Sequence, residues 1–191
     1  MNKPKNIIYS LIGLLITIIV VLMFVKIYNE KCYWQRQVAE YNYTNWGQIY
    51  HMTHEIEKKG FTQEGIKEVS LYINAKVSAT EPNLSPGFSS RPESSFFLQT
   101  YYFSLALDIS KNREFDAEEL QLAINLFEEA TIELRKLSAT ILEMTSSSYV
   151  DNRLELISTD SELYKQVDKM VKEYGNKYSE KISNFYSDLE N

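Results

Sequence analysis

Cysteine occurs once in this chain, histidine twice, proline four times and glycine six times among 191 residues. Each scarcity excludes something. Cys32 alone allows no internal disulfide. The residues before it, Asn29, Glu30 and Lys31, are neither small nor aliphatic, which rules out a lipoprotein acylation site. Few glycines and prolines argue against a sheet with many tight turns and for long helices with few breaks. His51 and His54 are too few for most histidine-based centres. Their spacing of three could set two imidazoles on one metal, but Gln48 stands where a bundle metal site places its carboxylate. His54 also points away from the apolar face carrying Met52 and Ile56. Both are expected on the surface.

Local signatures of chemistry are missing as well. No G-x-S-x-G, P-loop, H-E-x-x-H or EF-hand pattern occurs, and the run His51–Glu55 lacks a Glu directly after its first His. The expectation is therefore a protein that is not an enzyme, with no cofactor and no metal. A catalytic site assembled in space from distant residues would leave no such signature and stands as a further reading.

What is present begins with a long apolar run. Ile7 to Val25 is nineteen consecutive residues without a charge. As a helix it would measure about 28 Å, close to the hydrocarbon thickness of a bilayer. Tyr9 at one edge and Tyr28, Tyr33 and Trp34 at the other read as membrane-interface aromatics. The run exceeds a signal-peptide core, and Lys26–Lys31 offers no small-residue cleavage site, so a retained signal anchor is expected. Lys3 and Lys5 precede the span while Lys26, Lys31 and Arg36 follow it, a near balance. The short basic start favours a cytoplasmic tail over 1–6, a transmembrane anchor over 7–28 and an extracytoplasmic domain over 29–191.

Charge is divided unevenly. The first 32 residues carry a net +3, and the remaining 16 Lys and Arg against 25 Asp and Glu give −9. Nucleic acid, whose binding rests on phosphate neutralisation, is excluded as a partner. The lipid bilayer through residues 7–28 and another membrane or envelope protein are the partners expected, with a homodimer through the anchor helix or Cys32 as a further route. The abundance of Asn, Ile, Lys and Tyr suits an AT-rich bacterial genome.

Periodicity predicts an all-α fold: the anchor helix, then an antiparallel bundle of four or five helices. Helix one should run almost unbroken from Ile7 to Lys59, roughly 80 Å, with Val38, Tyr41, Asn45, Ile49, Met52 and Ile56 on one face. Lys58, Lys59 and Gly60 form its stop. Helix two starts at Thr62, with Phe61 and Ile66 as a hydrophobic staple, and its stripe is Ile66, Val69, Ile73 and Val77. Helix three spans about Ser95 to Ile109, with Phe97, Tyr101, Leu105 and Ile109 in register. Helix four opens on a capping box of Asp116 and Glu119, stapled by Phe115 and Leu120, and carries Ile124, Phe127, Leu134, Leu137 and Ile141. Tyr149–Ser158 fits either a short helix or an extended segment. Thr159 and Glu162 suggest a second capping box before helix five, with Leu163, Val167, Met170, Tyr174, Tyr178, Phe185 and Leu189; Gly175 is its weak point.

Two features could carry function. Aromatics cluster at Phe96, Phe97, Tyr101, Tyr102 and Phe103 and again at Tyr174, Tyr178, Phe185 and Tyr186; they make either an aromatic core or a ligand pocket. The two longest connections, Glu81–Glu93 and Thr145–Ser158, should lie at the membrane-proximal end of an antiparallel bundle. They carry Leu84, Phe88 and Arg91 and Tyr149, Val150 and Leu154, the candidate partner-binding residues. The first reading is a membrane-anchored, non-enzymatic interaction or assembly module. A sensor-like bundle with an aromatic-lined pocket is the alternative.

Overall fold

The structure, a computed structural model, describes residues 3–70, 98–111, 115–146 and 150–189. All regular structure among them is helical, and no strand occurs. The elements are α1 (Lys3–Lys59), α2 (63–70), a π-helical turn (Leu98–Phe103) running into α3 (Ser104–Lys111), α4 (Ala117–Ser146), the short α5 (Val150–Glu155) and α6 (Glu162–Leu189). The chain divides into two compact units, Met1–Gln37 and Val38–Asn191.

The described residues of the first unit are helix alone. From Leu11 to Lys31 every residue is exposed, on all faces of α1. The segment has no apolar stripe because nearly every position is apolar. This part of α1 is long and apolar enough to cross a membrane. α1 is unbroken through Lys59, as the absence of proline between Pro4 and Pro82 predicts.

The second unit has a conventional core. From α1 it takes Val38, Ala39, Trp46, Ile49, Met52 and Ile56. Tyr41 and Asn45, expected on this face, are only half-buried, and Trp46 fills the place predicted for Asn45. An indole beside an amide on the edge of a helical stripe gains more from leaving water, so it takes the interior. Gly60 then closes α1. Its φ is +90°, a left-handed conformation costly for any residue with a Cβ, and its N–H donates to the carbonyls of Ile56 and Glu57 at 3.1 Å each.

Thr62 caps α2 as predicted, its hydroxyl accepting the Gly65 N–H at 3.1 Å. The turn is tight. A Cβ on Gly65 would sit 2.5 Å from the Gly60 carbonyl oxygen and 2.9 Å from that of Lys59. Ile66 and Val69 are buried; Ile73 and Val77 lie outside the described residues.

In the third helical stretch the turn Leu98–Phe103 is π rather than α. Leu105 and Ile109 are buried as predicted, but Tyr102, not Tyr101, is the fully buried tyrosine; Phe97 lies outside the described residues. Tyr102, Leu105, Ala106 and Ile109 share one face at helical spacing.

The α4 start is the predicted capping box. Asp116 Oδ1 accepts the N–H groups of Glu118 and Glu119 at 2.8 and 2.9 Å, and Glu119 Oε2 accepts the Asp116 N–H at 2.8 Å. Ile124, Phe127, Leu134, Leu137 and Ile141 are all buried, joined by Ala123, Ala130 and Thr131. α6 starts differently from prediction. Ser161, not Thr159, is its cap, accepting the Tyr164 N–H at 3.0 Å. Its hydroxyl hydrogen goes to the Glu155 carbonyl at 2.7 Å, tying α6 to the end of α5, whereas Thr159 is exposed in the turn. α6 then runs straight through Gly175, whose surroundings are open.

Candidate functional site

Three tyrosines define the centre of the bundle, and their hydroxyls converge on consecutive residues of α4. Tyr174 donates to the Ala130 carbonyl at 2.9 Å, and Tyr178 donates to Glu129 Oε1 at 3.1 Å. The Tyr102 and Thr131 hydroxyl oxygens lie 2.7 Å apart, while Thr131 Oγ1 donates its only hydrogen to the Phe127 carbonyl. Tyr102 is therefore the donor in its own pair. The rings pack as well: Tyr102 against Phe127 with centroids 4.9 Å apart, Tyr174 against Tyr178 at 4.8 Å.

This arrangement is a core. Tyr102, Phe127 and Tyr178 are fully buried, and Tyr174 nearly so. Burial pushes all three phenols above their ordinary pKa of about 10. The hydroxyls are fixed as neutral donors whose hydrogen bonds are spent on the protein itself.

Beside it, α4 and α6 leave an open cleft of about 340 Å³ over Leu137, Met170, Tyr174 and Tyr178, rimmed by Glu133, Lys136, Glu173 and Lys177. The rim charges are satisfied within the bundle: Lys136 pairs with Glu133 at 3.0 Å, Glu173 with Lys169 at 3.7 Å and Lys177 with Glu129 at 3.4 Å. Glu129 also takes Lys181 at 2.7 Å. The Lys181 hydrogen bond, with smaller help from Tyr178 and Lys177, holds the Glu129 carboxyl below the ordinary glutamate range.

The sequence-predicted residues distribute as follows. Tyr28, Tyr33 and Trp34 are exposed on α1, and Tyr33 and Trp34 meet edge-on at 5.6 Å. Tyr9 falls within α1, its side chain outside the described set. Leu84, Phe88, Arg91 and Tyr149 lie outside the described residues. Val150 opens α5 and Leu154 is half-buried within it. Cys32 is half-buried and free. His51 and His54 are exposed, flanking Tyr50, whose ring is parallel to His54 within 6°. Phe96 lies outside the described residues, Phe103 and Phe185 are partly buried, and Tyr186 donates to Asp108 Oδ2 at 2.7 Å.

Several residues that organise this region escape a reading by periodicity. Arg153 ion-pairs with Glu40, and its guanidinium lies 4.1 Å over the Tyr43 ring, fastening α5 to α1. Arg135 pairs with Glu57 further along the same helix. A tertiary ion pair has no sequence period, so nothing local announces it.

No protein-family profile, curated protein or solved structure matches this chain.

Proposed function

We propose that the chain is a single-pass membrane protein whose helical domain stands outside the cytoplasmic membrane and works by binding another membrane or envelope protein, without catalysis. The observation that carries this reading is the exposure of α1 from Leu11 to Lys31. A helix lying along a membrane surface would need one polar face; one apolar all round is suited to being surrounded by hydrocarbon. The bundle supports the second half. Its tyrosine hydroxyls serve internal acceptors, which favours a presenting scaffold over a catalytic or ligand-binding interior.

The test has two arms. Protease added to spheroplasts should remove a C-terminal epitope while the cells remain intact; protection until lysis would reverse the orientation. Cross-linking in intact membranes should capture a defined neighbour, and charge substitutions at Leu84 and Phe88 should abolish capture without changing the melting curve. A lowered melting temperature with capture intact would make that connection structural and remove it as the contact. A chain recovered in soluble form, shortened at its N-terminus, would show that the apolar start of α1 directs export and is then removed.

A further inference from the structure

We propose that the α1 segment from Lys26 to Arg36 is a collar for anionic phospholipid headgroups. The proposal rests on the membrane-anchor reading and deepens it by naming the lipid class. Its basis is the arrangement of six exposed side chains. At about 100° per residue, Lys26, Lys31 and Arg36 stand about 140° apart in succession, so the three cations occupy three different faces of the helix. Tyr28, Tyr33 and Trp34 fall between them. Around the axis the order is Lys26, Trp34, Lys31, Tyr28, Arg36, Tyr33, so each cation has an aromatic on either side. All six side chains are exposed.

Charge supports the same assignment. The segment holds three cations and one acid, Glu30, which sits 4.0 Å from Lys26. Among the described residues neither Lys31 nor Arg36 has an acidic partner. From residue 38 onward the chain carries 15 Lys and Arg against 25 Asp and Glu, a net −10. An acidic domain of that size is repelled by an anionic surface, and the cationic excess lies on the stretch nearest the apolar run. Depth agrees too. Lys26 to Arg36 rises about 15 Å, more than one headgroup layer, but helical side chains tilt toward the helix N-terminus. Here that is the direction of the apolar run, so Trp34 and Arg36 reach back toward it. Lys26, at its edge, can extend its ammonium outward along an apolar stem. Aromatics at the carbonyl level and cations on the phosphates are a pairing suited to phosphatidylglycerol-type lipids.

The experiment uses the full chain reconstituted in phosphatidylcholine vesicles carrying trace spin-labelled lipid. Spin-labelled phosphatidylglycerol should associate with the protein about three-fold more strongly than spin-labelled phosphatidylcholine. The preference should fall to parity in high salt and in the double variant Lys31→Gln, Arg36→Gln. A control double variant, Lys67→Gln with Lys169→Gln, removes the same charge from the bundle and should retain it. A chain that floats with the vesicles after alkaline washing yet shows no preference, or whose preference survives loss of Lys31 and Arg36, overturns the collar and leaves the anchor standing. A chain that does not float overturns both.

Discussion

Phe24 and Phe127 are the same residue type with opposite fates. The first is 69% exposed in the N-terminal unit, the second fully buried in the bundle. Ile16 at 56% and Ile141 at 0% repeat the contrast. Both segments are rich in Ile and Leu, but residues 11–25 hold no charged residue whereas α4 holds eight. Pattern turns that difference into two fates. Residues 11–25 are apolar on every face, and such a helix has no polar side to turn outward in water. α4 interrupts its apolar residues with charged ones at helical spacing, so one face can pack while the other stays solvated. An apolar residue stabilises a water-soluble fold only where its neighbours leave it one side to hide on.

The comparison can be broken most sharply by truncating one residue on each side. Phe127→Ala should lower the unfolding free energy of the bundle by about 3–5 kcal/mol, because it removes a fully buried ring stacked on Tyr102. Leu15→Ala, at 58% exposure, should leave the same denaturation curve unmoved. Comparable losses from both would mean that the first unit contributes to the bundle core.

A second test concerns the turn after α1. Gly65→Ala should cost about 1–3 kcal/mol, since its new methyl meets backbone oxygen that cannot swing aside. Gly13→Ala, with open space around it, should have no effect on bundle stability. Chemical denaturation of both variants decides the point. Tyr102→Phe should cost about 1–1.5 kcal/mol, the worth of one internal hydrogen bond. Asp116→Ala should cost about 1 kcal/mol by unravelling the first turn of α4.

Alkaline pH separates the tyrosines. Tyr102, Tyr174 and Tyr178 have folded-state pKa values raised above the unfolded value of about 10. Their contribution to stability is complete below about pH 10 and is lost as pH rises toward the folded values. Tyrosinate absorbance should therefore show these three titrating only as the bundle unfolds. Early ionisation of all the tyrosines would contradict their burial. The smallest effect lies at acid pH. Glu129 has a lowered pKa, so its contribution is present above the unfolded glutamate value and is lost as pH falls through the folded one. The group is largely solvated, so Glu129→Gln should only slightly flatten the acid limb of the stability curve, and added salt should mask the change.

Much of the fold was legible because its signals are local. The capping box at Asp116 and Glu119, the stop at Gly60 and the cap at Thr62 each depend on a few consecutive residues, and each is found where predicted. The α4 stripe was legible for the same reason. Failures came where two local solutions competed. Ser161 displaced Thr159 because it could cap α6 and hold the Glu155 carbonyl together. Tyr102 rather than Tyr101 is the core tyrosine, in a stretch whose π turn at Leu98–Phe103 has no compositional mark. Of the candidate contact residues, the periodic ones could be placed on helices, but whether an aromatic cluster is a core or a pocket depends on what faces it. That is settled by hydroxyl partners such as Ala130 and Thr131, which lie far from the tyrosines in sequence.

The convergence of three phenols on Glu129, Ala130 and Thr131 has a mechanical meaning. Tyr174 and Tyr178 on α6 both reach one turn of α4, like two pins of a key in adjacent wards. Sliding α6 along α4 by a single turn, about 5.4 Å, would withdraw both pins at once and break both hydrogen bonds together. The two bonds thus act as a register lock, opposing any slip of α6 along α4 while leaving the pair free to move as one body.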